Sequence, residues 1–382
     1  MKQIINLLSD AGIIVNGDQP WDIQVYNHRL YNRILLQGSL GLGEAYIDGW
    51  WDAEQLDEFF YRILRHRLDE KFTINAHNIY HYIKASILNL QGKKNASSSI
   101  IHHYDIGRDL YQAMLDKRMT YTCAYWNGVQ TLDEAQEAKL DLVCQKLHLK
   151  PDEHVLDIGC GWGSFARYAA EKYGVRVTGI TISHDQADYA REDCKDLPVE
   201  IRLQDYRDIT EKYDKIVSLG MMEHVGYKNY KTYLKIIADS LKPGGLCLIQ
   251  VIGRNTSARK ADEWINKYIF PQGMVPSIRQ IGKALENTMV MEDWHNFSAY
   301  YDLTVQAWFE NFNRHWDALK NIYSERFYRM WKYYLLSCGG AFRARSNQLW
   351  QIVLSVEGIP GGYHPIRYAQ VSQDDRVSQV SP

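Results

Sequence analysis

Hydrophobic and polar positions divide the chain into two regimes, and the pattern changes near residue 150. Before that point, apolar residues recur at helical spacing in short segments broken by turns, the last being Asn78–Leu90. Gln91-Gly-Lys-Lys-Asn-Ala-Ser-Ser-Ser99 follows, polar and rich in helix breakers, and reads as a linker whose lysines are placed to face solvent or anionic headgroups. Beyond residue 150, short apolar runs alternate with amphipathic stretches. Strands are predicted over His154–Cys160, Val175–Ser183, Val199–Gln204, Lys215–Gly220 and Leu246–Gly253. Helices are predicted over Ser164–Tyr173, Asp185–Cys194 and near Asn229–Leu241, with Lys242-Pro-Gly-Gly245 as a tight turn. A strand near Met289–His295, two long helices and a last apolar strand, Leu349–Val356, complete the chain. Such alternation implies an α/β fold, a mostly parallel sheet with helices on both faces. The expected division is a helical domain over 1–92, a linker over 93–101 and an α/β domain over 102–382.

At 382 residues the chain is long enough for two or three domains, and 46% hydrophobic residues supply a sizeable core. A formal charge of -2 argues against a general electrostatic grip on nucleic acid, so any membrane contact must come from local patches. Six cysteines without CxxC spacing fit reduced thiols in a cytosol rather than disulfides or a zinc site, and no metal is expected. The opening MKQIINLLSDAG lacks the apolar run of a signal peptide, and no stretch approaches the ~20 apolar residues that span a bilayer. The expectation is a cytoplasmic protein that at most touches a membrane from its inner face. Aromatics change the picture: 27 Tyr and 11 Trp are many, and such rings pack cores, line apolar pockets and stabilise cations.

The sharpest local signal is Val155-Leu-Asp-Ile-Gly-Cys-Gly-Trp-Gly163, at the predicted junction of strand and helix. Gly159, Gly161 and Gly163 permit a tight turn and close backbone approach to a ligand. The spacing is GxGxG, whereas a dinucleotide loop has GxGxxG and an acid about 20 residues on, where this chain has Gly179, Ile180 and Thr181. A nicotinamide cofactor is disfavoured. The motif resembles the first-strand loop of S-adenosylmethionine-dependent methyltransferases, which implies a Rossmann-like, seven-stranded fold and S-adenosylhomocysteine (SAH) as product. On that resemblance Asp157, Gly159, Cys160, Gly161 and Gly163 form the loop, and Asp157 anchors it or meets a cationic ligand end. Thr181, Ile182 and Gln186 take the place of the usual ribose-binding acid, and Gln204, Asp205 and Tyr206 stand near the adenine, with loop capping as the plainer alternative.

Five further segments narrow the resemblance: Gly38–Trp51, His102–Gly107, Tyr121–Trp126 (YTCAYW), Gly220–Gly226 (GMMEHVG) and Cys338–Arg343 (CGGAFR). Together, in this order, they resemble the cyclopropane fatty acid synthases over nearly the whole chain. The activity implied is transfer of a methylene from S-adenosylmethionine to the cis double bond of an unsaturated phospholipid acyl chain. An alkene attacks a sulfonium methyl without a base, leaving a carbocation that must lose a proton. Such a site needs dryness, cation-stabilising faces and a base beside the new carbon. Tyr125, Trp126, Tyr301 and Trp308 are candidate faces, each equally suited to packing. The resemblance implies bicarbonate as the base, cradled by Cys123, Glu223, Tyr301 and the backbone of Ile252, with Tyr104 in a segment that closes over the cofactor. One departure stands out. Gln250 occupies a position where these enzymes usually carry histidine, and glutamine can donate a hydrogen bond but cannot carry a proton's charge.

Cys338 lies in a retained motif once read as nucleophilic, although methyl transfer to an alkene needs no covalent enzyme intermediate. Arg343 and Arg345 are candidates for headgroup phosphate. Trp50, Trp51, Phe59, Phe60 and Tyr61 are candidates for lipid contact or for helix packing. The resemblance further implies a homodimer working at a membrane surface. Two rivals stay open: a methyltransferase that stops at methyl addition or acts on a small molecule, and a non-catalytic lipid-binding protein.

Overall fold

The computed structural model describes residues 1–68, 107–258 and 261–367. The predicted Asn78–Leu90 helix, the linker, His102 and Tyr104 lie outside the described residues. The main sheet has seven strands: β3 (His154–Ile158), β4 (Arg176–Thr181), β5 (Val199–Leu203), β6 (Tyr213–Leu219), β7 (Leu241–Gly253), β8 (Val290–Asn296) and β9 (Gln348–Ser355). They lie in the order β5-β4-β3-β6-β7-β9-β8, parallel throughout except that β9 runs antiparallel to both its neighbours. The last strand does complete the sheet, and all eight of its residues are buried. The Lys242–Gly245 turn falls in a register irregularity within β7.

The strands read as continuous apolar runs because each face has its own helical cover. Val155, Val217, Leu248 and Val353 point to the face covered by α5 (Leu132–Lys146) and α6 (Ser164–Tyr173). Their neighbours Leu156, Ile216, Ile249 and Ile352 point to the other, beneath α9 (Tyr230–Ser240) and α11 (Ile278–Leu285). Alternation is thus hidden in composition but present in packing. Thr131 caps α5 with its side chain, and Glu134 returns the bond to the cap, a reciprocal box that starts the helix without tertiary help.

The N-terminal region contributes α1 (Lys2–Asp10), α2 (Arg29–Ile47), α3 (Leu56–Arg65) and a small ribbon of β1 (Gln24–Val25) and β2 (Trp51–Asp52). It packs on α14 (Glu325–Arg343), a 19-residue helix that also lies against α12 (Ala299–Arg314). Tyr333 of α14 touches the rings of Tyr46, Trp51, Phe60 and Trp264. Trp51, Phe59 and Phe60 are therefore buried core residues of this helix junction and not lipid contacts. Arg343 also has a different task from headgroup binding. Its guanidinium pairs with Asp57, Glu58 and Asp302 at 2.6, 3.2 and 2.9 Å, joining α3, α12 and α14.

The CGGAFR motif has a packing explanation at this junction. A Cβ on Gly340 would stand 2.5 Å from the Asp57 carbonyl oxygen and 2.8 Å from Tyr61 N, so only glycine lets α14 approach the α3 backbone. Gly340→Ala is expected to lower stability by about 1–3 kcal/mol, as overpacking against unyielding backbone does. Urea unfolding of the purified protein, with wild type alongside, checks this.

Candidate active site

The cofactor cleft opens where β3, β4, β5 and β6 end, at the carboxyl edge of the sheet. The amides of Gly159 and Cys160 both donate to the Ile180 carbonyl, at 2.9 and 3.0 Å, folding the loop from β3 back onto β4. Gly159, Gly161 and Gly163 adopt φ of 79°, 54° and 86°, left-handed conformations that L side chains resist. Gly163 is the residue from which α6 starts. Asp157, Gly159, Cys160, Gly161, Thr181, Ile182, Gln186, Gln204, Asp205 and Tyr206 all line the cleft. Several also hold its walls. Thr181 Oγ1 lies 3.1 Å from Gln186 Oε1, Gln204 donates to the Asp208 carbonyl, and Asp205 pairs with Arg207 at 2.8 Å.

Asp157 sits in an almost dry position. Burial pushes its carboxyl up to about 7, more than the nearby Lys139 lowers it, and Oδ2 has no hydrogen-bond partner among the described residues. A cation delivered to that oxygen would satisfy it.

A second constellation lies beside the cleft, at the ends of β6 and β7. Glu223 begins the first turn of α8 (Met222–Val225), directly after the Gly220–Met221 turn that lines the cleft. Its Oε1 accepts the Ile252 amide at 2.7 Å, while Oε2 is closed off from solvent with no partner among the described residues. Burial pushes the carboxyl up to about 7, against the pull of the Ile252 amide. The Ile252 N–H is therefore committed to Glu223. Across from these, Thr304 Oγ1 accepts the Ala124 amide at 3.1 Å and the Trp126 indole at 3.0 Å, and lies 3.9 Å from Cys123 Sγ. Gln250 Nε2 lies 3.5 Å from the Cys123 carbonyl. Tyr301, one helical turn before Thr304, feels the charges of Cys123, Glu223 and Tyr121, and burial holds its phenol well above the usual range. Cys123, Glu223, Gln250, Ile252 and Tyr301 are thus brought to one place.

Cys338 is half-buried on α14, and burial pushes its thiol up to about 12, so it stays protonated at neutral pH. Of the proposed aromatic faces, Trp308 packs against Tyr301 and Tyr121 at 6.1 and 5.1 Å between centroids. Tyr125 turns the other way, its ring on Phe297 and Tyr300 and its hydroxyl on the Arg367 carbonyl. Sequence reading missed Tyr121, which lines the cleft and bonds Tyr334 hydroxyl to hydroxyl at 2.8 Å, and Thr304, which organises the Cys123 loop. Tyr121 sits inside the quoted YTCAYW motif, but nothing in the motif says which of its aromatics faces the cleft.

The fold and the glycine loop define a class I S-adenosylmethionine-dependent methyltransferase. A family model described as mycolic acid cyclopropane synthetase matches residues 91–352, and the chain belongs to that family. It is 50% identical over 361 residues to the cyclopropane-fatty-acyl-phospholipid synthase of Escherichia coli, covering 94% of each chain. It is similar to the structure of a cyclopropane synthase from Mycobacterium tuberculosis, with TM-score 0.65 and 29% identity over 68% of this chain and 97% of that one. A mycolic acid cyclopropane synthase complexed with SAH and CTAB gives TM-score 0.64 and 27% identity over the same shares.

The raised pKa of Glu223 sets a stability test. Its proton is bound more tightly in the fold than in the unfolded chain, so the ionised form destabilises. That penalty is absent below about pH 4.5 and complete above about 7. Glu223→Gln should leave stability unchanged at pH 4 and raise it at pH 8 by on the order of 3 kcal/mol. Denaturant melts of the ligand-free protein at the two pH values measure this.

Proposed function

We propose that the chain is a cyclopropane-fatty-acyl-phospholipid synthase that works at a membrane surface, with its base held by the Cys123–Glu223–Gln250–Tyr301 constellation. The observation that carries this reading is the buried Oε2 of Glu223, without a partner among the described residues, beside the cofactor cleft. The residues fit S-adenosylmethionine: the left-handed glycine turn admits a ligand against the backbone, and Asp157 Oδ2 waits for a cation. When bound, that cofactor supplies an electrophilic methyl carbon. Tyr121 lines the cleft with Trp308 and Tyr301 packed around it, an aromatic wall suited to stabilising a cation on the acyl chain without quenching it. Tight packing around them keeps water from intercepting that cation.

The constellation also fits bicarbonate, an anion that carries its own hydroxyl. Glu223 Oε2 lacks a donor, Gln250 offers an amide N–H, and Tyr301 offers a phenol that burial keeps protonated. Held there, the anion would serve as acceptor for the proton that leaves the new methyl group. Cys123 joins as a thiol and not a thiolate, because burial raises it far above its ordinary value. Cys338 supports the helix junction from its place on α14, its thiol too weakly acidic to attack.

No helix among the described residues is long and apolar enough to cross a membrane. The name of the Escherichia coli relative points to a phospholipid as the substrate. The family resemblance favours a homodimer, which light scattering of the purified chain will decide.

Expression in a host free of cyclopropane lipids, with mass spectrometry of extracted phospholipids, tests the reaction. Gain of one CH2 with loss of the alkene signal is expected. A branched saturated chain would make the enzyme a methylating one, and unchanged lipid would overturn both. Glu223→Ala should reduce turnover by about 10²–10⁴-fold while leaving SAH affinity near that of wild type. Asp157→Asn should weaken SAH at pH 8 by about 10-fold or more. Since a cation binds the ionised carboxyl, wild-type affinity should fall as pH drops below about 7, and calorimetry of Asp157→Asn should show that slope removed.

A further inference from the structure

Behind Gln250 a row of polar side chains crosses an otherwise apolar sheet face. Gln250 of β7, Gln351 of β9 and His295 of β8 are cross-strand neighbours in register. Gln351 Nε2 donates to Gln250 Oε1 at 2.9 Å, and Gln351 Oε1 accepts from Lys146 Nζ at 2.8 Å. Lys146, the last residue of α5, is fully buried, and its Nζ also lies 2.9 Å from His295 Nδ1. Asp293, the carboxylate that acts on this cluster, is already paired with Arg367. A buried lysine so placed has a consequence for direction.

Burial pulls the Lys146 amine down to about 7, more than Asp293 raises it, so at pH 6.5 the ammonium predominates, and an ammonium has only donors. Gln351 must therefore turn its oxygen toward Lys146 and its amino group toward Gln250. Gln250 must in turn present its oxygen to Gln351, which sends its own amino group toward Cys123 and the reaction site. Amide ends are interchangeable in shape, so packing alone would leave either orientation open. We propose that Lys146 is a positioning residue that, through Gln351, fixes the Gln250 amide as a donor facing the bound anion. The role rests on the bicarbonate reading above, and explains how glutamine serves where a histidine is usual. His295 completes the arrangement: burial and then Lys146 hold its imidazole down at about 3, neutral, so that Nδ1 accepts a hydrogen bond from the ammonium.

The test uses two full-length variants, Lys146→Met and Gln351→Glu. The second is isosteric and keeps a partner for Lys146, but its carboxylate only accepts, so Gln250 must reverse and turn its oxygen to the site. Affinity for isotope-labelled bicarbonate is measured at pH 6.5, where Lys146 is mostly charged, by NMR line broadening on the SAH-bound protein, with SAH affinity by calorimetry as the control. Both variants should weaken bicarbonate by at least about tenfold with SAH affinity unchanged, a split that a purely structural role would not produce. Should Lys146→Met not fold, Gln351→Glu alone decides. Wild-type bicarbonate affinity in a variant that binds SAH normally overturns the relay. Wild-type protein that binds no bicarbonate overturns the anion reading, and the relay with it.

Discussion

Desolvation of carboxylates at the carboxyl edge of the sheet governs this molecule. Asp157 and Glu223 each stand where a strand ends, each has one oxygen without a partner among the described residues, and burial raises both to about 7. Neither position is tolerable for a protein that only needs to fold, because an unpaired buried charge is among the more expensive features a core can contain. Each becomes reasonable when a ligand completes it, a cation for one and a hydroxyl-bearing anion for the other. Asp157 lines the cofactor cleft together with Gly220 and Met221, and Glu223 follows that turn at the start of α8.

Keeping such a site dry demands cover, and the cover comes from outside the sheet. Helices α12 and α14 close one side, with Tyr301, Trp308 and Tyr334 in a continuous aromatic layer. The N-terminal helices then brace α14 from behind through Tyr333 and the Arg343 carboxylate cluster. Gly340 sets how closely that brace can approach. A half-buried ion cluster contributes modestly to stability, but its geometry fixes the register of α3, α12 and α14 against one another. Aromatic enrichment in the composition thus serves to pack this cover, and the same ring layer reaches the cleft at Tyr121.

The polar row across β7, β9 and β8 shows how a distant charge can set the character of a neutral side chain. Amide hydrogen bonds have a direction, and a chain of them propagates it. Gln250 by itself is ambiguous; next to Gln351 and Lys146 it is not.

Much of this was legible in the residues alone. The strand-helix alternation after residue 150 located every strand of the main sheet to within a few residues, because continuous apolar runs have no stable place except between two helical layers. The glycine loop announced its ligand because left-handed turns at a strand end leave few residue types possible. What the chain order could not disclose was which side chains meet. Trp51 and Phe60 are apolar enough for lipid or for core, and only Tyr333, some 270 residues on, decides in favour of core. Arg343 reads as a surface cation until Asp57 and Asp302 surround it. Thr304 and Lys146 carry no local signal, since their partners are set by tertiary register. Periodicity and backbone sterics are properties of neighbouring residues and survive in sequence, whereas burial, hydrogen-bond direction and acidity arise from packing between distant ones.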